Sequence, residues 1–568
     1  MDLNRDSMDS NRDSAHSNRE LADSNRELAD SNRELADSNR GLADSNRGLA
    51  DPNRGLADSN RGLADPNRGL EDSNRGLADS NRESADSNRG LADSNRESIG
   101  SIGQWPTFRP GQRTHPRTMR KIAIVGAGQA GLLLGFGLLE QGCAVTLVAD
   151  RSADEVFHGR LGATAGLFAT AISHEQELGL DLWAGQAPLI DGVHIDFCIE
   201  PRNLLLTVEG RFDGPCRAVD HRLKLSTWMR EFERRGGRLV LRAVQVSDLE
   251  ELAASHDAVF VAAGKAALSS LFPRDDARSF FTKPERNLAA LTASGLRPWD
   301  GIPYRHPAKF TITAGLGEIF WIPFLGRRGE PCFSIVFEGV PGSGLDRFGG
   351  VRTSGEALAA ARAVVADFAP WESATLAEAQ MIDDLAWSPG ALSCVVRRPV
   401  AVLPSGLSVF GLGDTVTVFD PVSAQGANSA AKMAHGLSRA IAERGAEPLD
   451  AAWMESWFEG YWDRHARPMT EFNRIMLLPL QPPAIEVVLA ASRSRAVGDR
   501  FIASFDDPAR YFPWLDDMGE ARRFIARQTG RPWLWTAAAA RLAAGIPQVA
   551  HKLGLRKMPA APPAYRGS

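Results

Sequence analysis

Cysteine is scarce in this chain and never clustered. Its 568 residues include five cysteines (Cys143, Cys198, Cys216, Cys332 and Cys394), an odd number without a single Cys-x-x-Cys pair. A disulfide framework and a thiolate zinc site are therefore not expected, and reduced thiols fit a cytoplasmic protein. Charge of one sign is also lacking. The 65 Lys and Arg nearly balance the 70 Asp and Glu, leaving a net charge of −5, which gives no basis for a nucleic-acid partner. No uninterrupted apolar run reaches about 18 residues, so no membrane span is expected. The nearest candidate, residues 533–550, is broken by Arg541, Gly545 and Pro547. The N-terminus has no apolar core of a secretory signal. No Ser/His/Asp arrangement and no metal-ligand spacing can be read from the chain, so neither a catalytic side chain nor a metal site is expected.

What is present falls into two unlike materials. From residue 21 to about 97 a seven-residue unit recurs, mostly LADSNRG or LADSNRE. A coiled coil needs two apolar seam positions per heptad; here leucine has only the adjacent alanine, which points elsewhere on a helix. Gly recurs in most units, and Pro52 and Pro66 interrupt two. Such a segment buries too little apolar surface to offset its ordering entropy. Residues 1–118 are expected to be a disordered, dispensable repeat tail, with Met119 the earlier start. The remaining roughly 450 residues are enough for two or three fused subdomains.

Two glycine-rich segments organise that second part. Residues 122–125 (IAIV) form a continuous apolar run, as in a parallel strand buried on both faces. Gly126, Ala127, Gly128, Gln129, Ala130 and Gly131 follow at once, then a helical stretch and a second apolar strand. This is a dinucleotide-binding turn, with the helix N-terminus offered to a pyrophosphate. The acidic residue that usually ends the second strand is replaced by Ala149, with Asp150 next and aimed at the other face. A weaker hold on an adenosine ribose follows.

The second segment, residues 411–428, reads GLGDTVTVFDPVSAQGAN. It places Asp414 to accept a ribityl hydroxyl, a rigid bend at Asp420-Pro421, and a helix start at Gly426, Ala427 and Asn428. Such a helix start favours the anionic reduced flavin ring. Either segment alone is weak; the pair, in this order and at this separation, describes a flavin pocket.

These motifs resemble those of the epoxidase component of styrene and indole monooxygenases, FAD enzymes of the para-hydroxybenzoate hydroxylase-like fold. The resemblance spans roughly residues 119–530. It rests on the two glycine segments, RAVDHRL at 217–223, VAAGK at 261–265, GEIFWIP at 317–323 and DDPAR at 506–510. It implies an α/β fold. A Rossmann-like FAD domain would be assembled from about 119–155, 215–270 and 400–445. An inserted, mostly antiparallel substrate domain would occupy about 156–214 and 271–399, and a C-terminal helical region would run over 446–568. It implies reduced FAD delivered by a separate NADH-dependent flavin reductase, and a flavin C4a-peroxide that transfers one oxygen atom to a small, apolar, aromatic alkene or enamine.

Arg160 and Arg222 become candidate flavin contacts, although Arg222 is equally a surface helix charge. Phe320, Trp321 and Phe324 become candidate pocket residues, with core packing the alternative for each. His194 is a further lining candidate, though a lone strand histidine is more often structural. The family's asparagine beside the flavin is replaced by Ala163. A single-component NAD(P)H-dependent aromatic hydroxylase, a flavin halogenase and a catalytically silent flavin-binding protein stay open. So does a homodimer. The chain ends about 90 residues past Leu478, too few for a fused reductase domain of usual size, and has no second nicotinamide turn.

Overall fold

The computed structural model describes residues 119–264 and 266–530. The repeat tail and the stretch at 533–550 lie outside them.

The apolar runs pair into a six-stranded sheet. Its strands are β1 (Lys121–Val125), β2 (Ala144–Ala149), β5 (Arg238–Leu241), β6 (Ala258–Val261), β13 (Val400–Val402) and β14 (Ser408–Gly411). Their order is β13-β14-β6-β1-β2-β5. All neighbours run parallel except the β13–β14 edge. The chain crosses from β1 to β2 through α1 (Gln129–Glu140), whose Leu132, Leu134, Phe136 and Leu138 are all buried. A helix apolar on every side must be covered on every side. Helices α3 (His221–Arg234) and α5 (Gly426–Arg444) provide that cover together with the sheet.

A second, eight-stranded sheet carries the segment between. Its strands are β3 (Gly192–Glu200), β4 (Asn203–Gly210), β7 (Asn287–Ser294), β8 (Pro307–Thr313), β9 (Gly317–Leu325), β10 (Pro331–Gly339), β11 (Gln380–Met381) and β12 (Trp387–Ala391). The order is β11-β7-β10-β9-β8-β3-β4, with β12 also on β7. Only β3 and β8 pair in parallel.

Both faces of this sheet are buried, and alternation decides which residue goes where. One face carries Ile319, Trp321, Ile335, Phe337 and Leu291 against α4 (Ser354–Phe368). The other carries Phe320, Phe324 and Val336. Toward β3 and β8, that second face is covered by C-terminal helices: α7 (Arg467–Leu477), α8 (Pro482–Ala491), α9 (Arg495–Ala503) and α10 (Met518–Thr529). Helix α6 (Ala451–Tyr461) packs instead on the first core. Among the described residues no single helix is long and apolar enough to cross a membrane.

Candidate active site

The two glycine segments, some 300 residues apart in sequence, meet in space. A Cβ on Gly413 would sit 3.0 Å from that of Ala130. The amide of Gln129 donates to the carbonyl of Ala427 at 3.1 Å. The glycines of the first turn have distinct physical reasons. Gly126 has φ +114°, and a Cβ there would lie 2.5 Å from the carbonyl oxygen of Ala262. A Cβ on Gly131 would lie 2.0 Å from the oxygen of Gly126. Gly128 differs: its Cβ would meet nothing within 4 Å. The protein leaves that space free, and Gly426 likewise faces open space.

The helices that start here are left ready for an electron-rich ligand. Neither α1, capped by Gly128, nor α5, capped by Gln425, has a side-chain cap or an acidic residue in its first turn. Their first N–H groups therefore lack the partner that Asp220, Thr353, Asp450 and Asp517 supply to other helices of the chain. Ala424, two residues before α5, holds a left-handed φ of +54°, a strained conformation that cannot be read from the sequence. Asp414 is exposed, yet walled in closely enough that desolvation raises its carboxyl above the ordinary aspartate value, with Arg397 opposing the rise. Pro421 is exposed on the 3-10 turn Pro421–Ser423. Open glycines, uncapped helix starts and an available carboxylate fit a flavin dinucleotide.

Other expectations need correction. Asn428 is buried, and its side chain accepts from the N–H of Phe168 while donating to the carbonyls of Gly166 and Ala424. It is a structural bolt, and only its place in the first turn of α5 bears on a ligand. Arg222 is no surface charge: it is 2% exposed, and Asp220 and Asp383 together engage all its guanidinium nitrogens. Arg160 stacks over the indole of Trp387 at 4.6 Å and donates to its carbonyl, pinning the 160–165 loop to the substrate sheet.

Trp321 and His194 lie on the face turned away from the glycine loops. Trp321 packs under α4, and Trp299 meets it edge-on. His194 Nδ1 lies 2.9 Å from Glu209 and its Nε2 3.1 Å from Asp196, within a polar set continued by the buried Lys309 and Glu372. Phe320 lies on the near face, beside Val336, Phe281 and Val422 of the flavin-loop turn, with Phe310 at 4.8 Å. Phe324, on the same face, packs farther along, against Ala218 and Cys332.

The structure also assembles charged groups that the motif reading passed over. Glu318 and Arg286 form a buried two-pronged ion pair at 2.8 and 2.9 Å. Glu338, fully buried, meets the carboxyl of Asp420, whose Oδ1 caps the turn by accepting from Val422. Asn473 of α7 accepts from the Asp420 N–H. Burial, then the Asp420 charge, push the Glu338 carboxyl well above the ordinary glutamate value, and neither of its oxygens has a hydrogen-bond partner. Burial raises Asp420 too, against the N–H of Val422 and the charge of Arg286. The signal for this cluster was a charge inside an apolar strand: GEIFWIPFL for Glu318 and PCFSIVFEG for Glu338.

This sheet pair with its cofactor cleft defines a flavoprotein oxygenase fold. Solved structures agree at the level of fold. A flavoprotein/dehydrogenase from Cytophaga hutchinsonii aligns at TM-score 0.52 and 13% identity, over 75% of this chain and 100% of that one. The flavin-dependent halogenase CmlS aligns at 0.50 and 16%, over 76% and 78%. The family model described as "Styrene monooxygenase A putative substrate binding domain" matches residues 264–374. Styrene monooxygenase StyA of a Pseudomonas species is 30% identical over 402 residues, 69% of this chain and 94% of that protein. StyA of Pseudomonas fluorescens matches to the same extent. The chain belongs to the styrene monooxygenase family and is an FAD-dependent monooxygenase.

Proposed function

We propose that this chain is the oxygenating half of a two-component system. It takes reduced FAD from a separate NADH-dependent flavin reductase and transfers one atom of O2 to the C=C bond of a styrene- or indole-like alkene or enamine. Two electrons come from reduced FAD, one oxygen atom enters the product and the other leaves as water. Bound reduced FAD supplies the oxygen-transfer chemistry; the chain binds, orients and keeps water out.

In this reading the turn from Gly126 to Gly131 holds the pyrophosphate, with the space at Gly128 admitting it. Asp414 takes a ribityl hydroxyl. The uncapped start of α5 at Gly426 and Ala427 stabilises negative charge on the reduced ring. One observation carries the substrate class: the apolar patch of Phe320, Phe310, Phe281 and Val336 stands directly against the turn that follows Asp420. Such a surface orients an aromatic alkene and excludes water.

The test supplies the purified chain with FAD, NADH and either styrene or indole, with and without a flavin reductase. Oxygenated product should form only when the reductase is present, and anaerobic titration should show tighter binding of reduced than of oxidised FAD. NADH oxidation by the chain alone, or no oxygenated product from either substrate, would overturn the reading.

A further inference from the structure

A second helix, packed along α5, brings its own chemistry. Among the described residues, His174 and Glu177 of α2 (Ala169–Glu177) and His435 of α5 each offer a ligand atom, all within 4.8 Å of one another. The spacing of His174 and Glu177 sets both on one side of α2, while His435 arrives from 258 residues away. The two imidazoles stack with centroids 3.7 Å apart and planes 12° apart. His435 Nε2 lies 2.8 Å from Glu177 Oε2, whereas the buried Nδ1 of His174 has no hydrogen-bond partner.

We propose that His174, Glu177 and His435 form a zinc site that clamps α2 to α5. Two imidazoles and a carboxylate are a donor set of borderline softness, suited to zinc. Three protein ligands leave a fourth position for water, so the ion is exchangeable. An ion lies in the plane of each imidazole that binds it, so one ring turns out of the stack on loading and the His435–Glu177 bond opens. Ligand atoms on a tetrahedral zinc stand about 3.3 Å apart, given bonds of about 2.0–2.1 Å. The required contraction is therefore no more than about 1.5 Å. Glu177 is exposed and both rings are only half-buried, so this movement occurs at the surface.

The neighbouring charges set the strength. Glu177, Lys432 and His465 face His174, while Glu177 and Arg235 face Glu140. Lys432 opposes a cation, which points to micromolar rather than tighter binding. The clamp lies two turns along α5 from Asn428, which already ties the start of that helix to Phe168 at the head of α2.

The experiment is titration of zinc chloride into the untagged, chelator-treated full-length chain, read by competition with a chromogenic zinc indicator and by the thermal unfolding midpoint. One zinc per chain with a raised midpoint is expected. E177Q, at the exposed position, should weaken binding about tenfold, and H435A should abolish the stoichiometric site, both with unchanged circular dichroism. Cobalt(II) should give the visible spectrum of a four-coordinate N/O site in the wild type and lose it in H435A. H256A, far from the site, should bind zinc as the wild type does. The proposal fails if the wild type takes up no zinc at 100 µM (about a hundredfold above a micromolar Kd), or if H435A and E177Q retain wild-type affinity. If H435A does not fold, E177Q and the cobalt spectrum of the wild type decide the matter.

Discussion

The buried Glu338–Asp420 pair makes stability depend on pH in a way that one substitution removes. In the unfolded chain Glu338 titrates near the ordinary glutamate value of about 4.3. In the folded chain burial and the Asp420 carboxylate raise it well above that. The folded state therefore binds one more proton than the unfolded state over the interval between the two values. With more protons on the folded side, the contribution is complete below the unfolded value and is lost as pH rises. The slope is at most about 1.4 kcal/mol per pH unit while Glu338 is protonated in the folded chain and ionised in the unfolded one. Glu338→Gln preserves the shape of the side chain and carries no titrating proton, so its profile lacks this component.

Unfolding midpoints of the flavin-free wild type and E338Q, measured from pH 5 to pH 7, isolate the effect. The stability advantage of the wild type should shrink as pH rises, by up to about 1.4 kcal/mol per pH unit. With an unfolding entropy of about 2.1 cal/mol/K per residue over roughly 400 residues, this is up to about 2 °C in midpoint per unit. Parallel profiles for the two proteins would refute a Glu338 carboxyl raised by burial beside Asp420.

The two kinds of glycine in the first turn should separate cleanly. Gly126→Ala places a Cβ against the Ala262 carbonyl at a positive φ, so folding should suffer by about 1–3 kcal/mol, visible as a lowered midpoint without FAD. Gly128→Ala meets only open space. It should leave the flavin-free midpoint within about 0.5 kcal/mol of wild type while weakening FAD binding at least tenfold in fluorescence titration. The faces of the substrate sheet should separate in the same manner. Trp321→Ala, under α4, should cost about 3–5 kcal/mol of stability without changing product distribution. Phe320→Ala, beside the flavin-loop turn, should change the ratio of styrene to indole turnover or the yield of product per NADH.

Sequence alone was a good guide wherever function depends on backbone geometry tied to residue type. The glycines of 126–131 and the segment 411–428 announce a flavin fold because few other residues tolerate their φ values or close approaches. The substrate sheet came only from the resemblance. It did not say which face meets the flavin. Phe320 and Trp321 are adjacent and equally aromatic, yet strand pleating sends them to opposite sides, and only the packing of α4 and of the flavin loop decides which side is which. Partners were also illegible. Asn428 became a cofactor candidate through its place at a helix start, and Arg222 through the resemblance. Their donors instead went to Gly166, Ala424, Asp220 and Asp383.

The same limit hid Glu338 from Asp420 and His174 from His435. Local sequence determines what conformation and chemistry a residue offers. Which groups share a buried site depends on contacts between segments tens to hundreds of residues apart, and these exist only once the sheets and helices have packed.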